Sequence, residues 1–442
     1  MQHRAFLNRL LITGAAIMAY HWCHQIPVPA LAPGAYAAME SLPQSIPGLS
    51  IVALSLTPFF IGFLVVELLS FLPFWKMKYR QGGIEGRKKL NGLAIRFSLA
   101  VALLQGLGLS LGLEAMRFPG GLPILQAGLA PRMIAILTWV AGSFALFGLC
   151  QFISRRGLGN GFCVVIAVDL IYELSSPWSL EFHRSDPAWA EHFTRFALLA
   201  AVTAAASVYV FLRRPTSETS YRGEPGADLS LPSFPQGLVP LMWAPSLLLL
   251  PAALGPILGA EVGFGSFSFG SYLPSLGVLV LTLCPLTAQL FATRKRIEAN
   301  VPGLSLASGF EIAHAKALVA TSALLIFLAV AWAALDHFAF GFGLTAVPIV
   351  VLAAVATDLV SEWRFRRFHR TAVRWIELDN VHLASYVSGL LRQESVPFVV
   401  QAFHFRSLFF FLSPLEKMAI LVPEENLGQA DDLFSPLETP TV

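Results

Sequence analysis

Ten stretches of mostly apolar residues recur along this chain, near 7–25, 51–74, 95–114, 131–153, 161–175, 193–212, 238–258, 272–293, 314–334 and 344–362. About 20 such residues, wound as a helix, match the hydrocarbon thickness of a bilayer. In lipid every backbone polar group must find its partner internally, so repeated runs of this length predict a bundle of spanning helices. Composition agrees. With 55% hydrophobic and 13% charged residues, 442 residues carry too few charges to coat a water-soluble globule, where roughly 25% is usual. A disordered chain and a disulfide scaffold are excluded, and a soluble enzyme is not expected. Two spans are weak: Pro58 interrupts the second, and the fifth is short and carries Asp169.

The first span starts after Arg4 and Arg9, but no small-residue cleavage site follows it. It reads as a retained helix rather than a signal peptide. Lysine and arginine then set the orientation. With the N-terminus inside, twenty-two of them fall in cytoplasmic segments and only Arg117, Arg132 and Arg184 outside. Both termini are expected in the cytoplasm, with a bacterial inner membrane as the expected setting.

From Thr371 the apolar runs break up. Leu383, Tyr386, Val387, Leu390 and Leu391 recur at helical spacing, while Val396–Val400, Leu408–Leu412 and Met418–Val422 read as strands and 427–434 as a last helix. This order fits a small cytoplasmic α+β domain at 371–442, of which the ferredoxin-like arrangement is one form, behind a membrane domain at 1–365.

No catalytic motif is present, and catalysis is not expected. Gly157–Gly161 lies between two spans rather than after a strand, so a dinucleotide loop fails on context. Cys23, Cys150, Cys163 and Cys284 sit in apolar runs without a CxxC pair and read as packing thiols. His21, Cys23 and His24 lack a fourth ligand for structural zinc; no metal or cofactor is expected. Glu67, Asp169 and Asp358 fall within expected spans, where ionisable groups are costly. A structural role is the simpler reading for each.

Several short motifs stand in register along this framework. Ile26-Pro27-Val28-Pro29 closes span one, Gly86-Arg87-Lys88-Lys89-Leu90-Asn91 precedes span three, and Ala102-Leu103-Leu104-Gln105-Gly106 lies within it. Arg155-Arg156-Gly157-Leu158-Gly159-Asn160-Gly161 precedes span five, and Gly237-Leu238-Val239-Pro240 through Leu250-Pro251-Ala252 runs into span seven. Together they resemble the SecY/Sec61 protein-conducting channels, in which the corresponding stretches read IPVPG, GRRKIN, ALFQG, ERGIGNG and GVIP…FPA.

The resemblance implies a SecY-like all-α polytopic bundle of ten transmembrane helices in two five-helix halves. It implies a pore closed by a collar of bulky side chains, which matching Ser55–Phe60 and Val239–Met242 places at Leu56, Phe60 and Met242. A narrow apolar collar excludes ions by sterics and dewetting. It implies a plug from about 35–50, a lateral gate with Gln105 in it, and basic partner contacts at Arg87, Lys88, Lys89, Arg213, Arg214 and Arg222. The implied partners are SecE-like and SecG-like small membrane subunits, unfolded polypeptide, the lipid bilayer, and a SecA-like motor ATPase or a ribosome, with no direct nucleic-acid contact.

Two departures stand against a standard member. The family's IPGIRPGEQT appears here as Val301-Pro302-Gly303-Leu304-Ser305-Leu306-Ala307-Ser308-Gly309-Phe310, with Ser305 in place of a partner-docking arginine. The C-terminal α+β segment is the other, since family members usually stop soon after span ten. A diverged paralogue with specialised or regulatory duties is therefore the runner-up. From another class, the rival is a proton-coupled secondary transporter using Glu67 and Asp169.

Overall fold

The computed structural model describes residues 2–32, 50–70, 72–75, 83–115, 124–181, 189–213, 216–221, 224–254, 269–291, 294–300, 304–307, 309–335, 346–412 and 417–438. The chain forms two compact units, 1–184 with 411–416, and 185–410 with 417–442. The division falls between the fifth and sixth expected spans. Five helices among the described residues are long and apolar enough to cross a membrane, at Lys89–Ala115, Leu129–Arg156, Phe193–Leu212, Tyr272–Gln289 and Phe310–Leu335, with shorter apolar helices at Thr57–Glu67 and Gly161–Tyr172.

The first unit contains α1 (Gln2–Gln25), α2 (Thr57–Leu69), α3 (Gly83–Ala115), α4 (Leu129–Arg156) and α5 (Gly161–Glu181). One expectation needs correction. The second span does not run as one helix from 51: residues 51–56 are consecutive turns, and α2 starts at Thr57. Pro58 therefore sits in the first helical turn, where its missing N–H costs nothing, rather than breaking a helix. The Gly86–Asn91 motif, expected to precede span three, lies on the same helix, α3, as the good helix formers Arg, Lys and Leu allow. After α1, Pro27 bridges to Ser50 and Leu31 to Leu125. These bridges hold Val28, Leu31, Leu54, Leu113, Leu125 and Trp139 in one buried cluster.

The second unit carries α6 (Trp189–Leu212), then four short strands, β1 (Thr216–Ser217), β2 (Thr219–Tyr221), β3 (Glu224–Pro225) and β4 (Leu229–Ser230). α7 (Val239–Leu254), α8 (Phe269–Phe291), α9 (Arg294–Asn300), β5 (Leu304–Leu306), α10 (Phe310–Leu335) and α11 (Val347–Phe368) follow. Trp332 of α10 donates to Thr203 of α6 at 3.0 Å, and Thr321 of α10 to Gln236 at 3.1 Å.

Beyond α11 come β6 (Ala372–Leu378), α12 (Val381–Gln393), β7 (Val399–Val400), α13 (Phe403–Leu408), β8 (Met418–Pro423) and α14 (Leu427–Glu438). The strands form one antiparallel sheet in the order β6-β8-β7. β8 alternates with the two-residue period of a strand. Met418, Ile420 and Val422 face a core shared with Val381, Ala384, Val387 and Leu391 of α12. Ala419 and Leu421 face Phe365 of α11. The run Leu408–Leu412, expected as a strand, is instead the end of α13 and a single 3-10 turn. β6 had no counterpart in the sequence reading, because Arg374 and Glu377 interrupt its apolar run.

Candidate functional site

The structure puts Leu56 and Phe60 at the head of α2, where the Phe60 amide donates to the Leu56 carbonyl at 3.1 Å. Leu56 is buried. Phe59 packs on Phe144 and Phe147 of α4, with centroids 5.0 and 4.7 Å away. Phe60 stacks on Phe162 of α5 at 6.0 Å. Phe162 is itself placed by the glycine-asparagine motif. Asn160 caps α5, its side-chain oxygen accepting the Phe162 and Cys163 amides at 3.1 and 3.2 Å. Gly161 lies so close to α4 that a Cβ there would sit 2.0 Å from the Cys150 carbonyl oxygen. On the other side, Thr13 of α1 accepts the Leu158 amide at 2.8 Å. The motif is thus a tight joint of α1, α4 and α5 that fixes the partner of Phe60.

Immediately before Leu56, Ser55 has φ +46°, a left-handed backbone unusual outside glycine. Its hydroxyl donates to one oxygen of Asp169 on α5, and the Tyr20 hydroxyl of α1 donates to the other. His24 Nε2 lies 3.8 Å from the same carboxylate. His21 stacks on Tyr172 and hydrogen-bonds to its hydroxyl. The histidines weighed above as ligands are therefore engaged with α5. Glu67 is half-buried on α2.

Other residues singled out from the sequence are dispersed. Met242 is half-buried on α7, in the second unit. Gln105 is half-buried on α3, and its Oε1 is buried without a hydrogen bond among the described residues. Lys89 is exposed on α3, and the Arg213 guanidinium lies 4.8 Å over the Tyr209 ring. Arg87 and Lys88 fall on α3 but their side chains lie outside the described residues, as do Arg214, Arg222 and the plug segment 35–49.

The loops after α6 and after α8 meet in a three-stranded sheet, β3-β2-β5. Ser305 pairs with Ser220 across it, their hydroxyls 2.5 Å apart on the exposed face. Leu304 and Leu306 point the other way into a cluster with Ala227, Leu229, Leu231, Ile297 and Phe310, closed by Tyr386 of α12. α12 is therefore buried on two sides, against its own sheet and against these loops. Its Ser385 hydroxyl donates to the Ser230 carbonyl. Gly389 sits where a Cβ would come within 2.4 Å of the Asp228 carbonyl oxygen.

A third attachment holds the same segment. Asp358 of α11, buried, accepts the His404 and Phe405 amides at 3.0 Å each and contacts His404 Nδ1 at 2.6 Å. Asp358 thereby caps α13, because Ala402, the residue just before that helix, offers no side-chain cap. In the sequence, Asp358 and Asp169 stand out only as costly charges. Their partners Ser55, Tyr20 and His404 carry no local signal that would mark them.

Apolar helices of spanning length, a second helix headed by bulky side chains, and loops drawn into a small sheet define a multi-pass helical membrane protein. Its fold matches Sec61 in a canine ribosome–channel complex from the endoplasmic reticulum, with TM-score 0.51 and 14% identity over 82% of this chain and 93% of that one. The SecY family model matches residues 50–358, and the chain belongs to the SecY family. The protein translocase subunit SecY of Rickettsia bellii is 26% identical over 220 residues, 47% of this chain and 50% of that protein. That of Escherichia coli K12 is 24% identical over 259 residues, 55% of this chain and 56% of that one. The matches thus span about half the length of these curated relatives.

Proposed function

We propose that this chain is the channel subunit of a protein-conducting pore, passing unfolded polypeptide across or into the membrane with energy from a partner and without covalent chemistry of its own. The family match over 50–358 carries this reading, because it takes in the second-span, fifth-span and seventh-span motifs together. In this reading ten spans cross a bacterial inner membrane with both termini in the cytoplasm. Residues 371–442 form a cytoplasmic domain, and SecE-like and SecG-like subunits accompany the chain. Leu56, Phe60 and Met242 serve as constriction residues, Gln105 belongs to the lateral gate, and Arg87, Lys88, Lys89, Arg213, Arg214 and Arg222 contact partners.

The test is an ion-leak measurement on the full chain in proteoliposomes. Replacing Leu56, Phe60 and Met242 with glycine or serine should make the vesicles leak, and tight vesicles would count against the constriction. Cross-linking of an arrested secretory chain to the protein would test the substrate class.

One observation favours specialised duty within the family. Ser305 faces a second serine on an exposed, uncharged strand pair, and the inner side of those loops is covered by α12. Partner docking through an arginine at this position is absent by sequence.

A further inference from the structure

We infer that Asp169 is a positioning residue for the constriction segment: by accepting the Ser55 hydroxyl it holds the left-handed turn that aims Leu56 and Phe60. This deepens the proposed pore reading and rests on it for its functional readout.

Residues 51–56 make successive tight turns, with the Ser55 amide donating to Val52 O at 2.8 Å and the Thr57 amide to Leu54 O at 3.2 Å. One end of this segment is pinned by Trp139, whose indole donates to Ser50 O at 3.0 Å. At the other end Ser55 holds φ +46°. A side-chain-bearing residue persists in that conformation only where its surroundings over-determine it. Here the surroundings include a carboxylate that belongs to another helix, inside the apolar part of the chain, where an ionisable group is costly.

Asp169 is itself steadied. Tyr20 supplies a second hydroxyl to its other oxygen, and His24 lies 3.8 Å away. The carboxylate thus ties α1, the turn and α5 at one point. The next residue after Ser55 is Leu56, whose carbonyl accepts the Phe59 and Phe60 amides that start α2. A change of φ at Ser55 therefore redirects the first turn of α2 and both of its constriction side chains. An Asn at 169 can keep both contacts, since hydroxyls donate or accept, whereas Ala keeps neither.

The test uses the full chain in proteoliposomes with Leu56→Gly as the leak standard. Asp169→Ala should raise ion leak roughly tenfold, the scale set by losing a contact that holds local strain. Asp169→Asn should stay near the parent. The decisive variant is Ser55→Gly combined with Asp169→Ala. Glycine adopts a positive φ without a Cβ penalty, so it should return the leak close to the parent, which a general loss of packing at Asp169 would not allow. Equal leak from the Asn and Ala variants, or no rescue by glycine, overturns the inference.

If Leu56→Gly itself causes no leak, the pore reading fails, and amide exchange at Thr57, Phe59 and Phe60 decides the positioning claim alone. Faster exchange in Asp169→Ala, reversed by Ser55→Gly, upholds it; unchanged exchange overturns it.

Discussion

Asp358 and His404, 46 residues apart in the chain, meet with carboxylate oxygen and ring nitrogen 2.6 Å apart in a buried site. The same carboxylate takes the His404 and Phe405 amides in the first turn of α13. One acidic side chain on α11 therefore both caps a helix of the C-terminal segment and fastens that segment to α11.

Removing that anchor should cost more than removing its ring partner. Asp358→Ala strands two amides and a ring nitrogen and should lower stability by about 3–5 kcal/mol, the scale for breaking a buried charged cluster. His404→Ala loses one contact of about 1.5–3 kcal/mol and leaves both amides capped. Thermal unfolding in detergent, with amide exchange over 403–408, gives the ranking, and equal losses would count against the capping role.

Gly389→Leu should lift α12 from the loops without unfolding its sheet. The new Cβ would sit 2.4 Å from the Asp228 carbonyl oxygen, and overpacking of this kind costs about 1–3 kcal/mol. Amide exchange should quicken over 229–231 and 381–393 while 372–378 and 418–423 stay protected. A variant with parental exchange in the loops would show that the contact is dispensable.

Ser305→Arg should fold as well as the parent. Its side chain lies on the exposed face of β5, opposite Leu304 and Leu306, and exposed substitutions shift stability by about 0.5 kcal/mol or less. A melting temperature within error of the parent is expected, and a marked fall would place the residue in a tighter setting than its strand register gives.

Gly161→Ala should be severe for so small a change. A methyl group 2.0 Å from the Cys150 carbonyl oxygen forces α4 and α5 apart, at about 3 kcal/mol. Low yield, or rapid exchange at Phe162 and Cys163, is the expected result, whereas a parental melting curve would deny the close joint.

What could be read in advance followed from local physics. Apolar runs of bilayer length mark helices wherever they occur, and those at 131–153, 193–212, 272–293 and 314–334 became α4, α6, α8 and α10 with small changes at their ends. Pro58 shows the limit. Its effect depends on where a helix begins, and that is set by the turn at 51–56, whose residues are as apolar as the helix itself. Leu408–Leu412 misled for a related reason. A short apolar run suits a strand or a buried helix equally, and α13 wins because Asp358 supplies its cap from another element.

The sequence by itself determined that this is a membrane bundle, the order of its apolar helices, and its membership in the SecY family, since hydropathy and motif register survive without knowledge of any contact. Only the tertiary structure decided the partners of its costly carboxylates. Asp169 bonds to Tyr20 and Ser55, and Asp358 to His404 and the head of α13. Hydrogen bonds between groups far apart in the chain leave no periodicity behind. The same holds for α12, whose spacing announced one buried face while packing gave it two. A helix pattern records how many positions avoid water, and it cannot record which surfaces arrive to cover them.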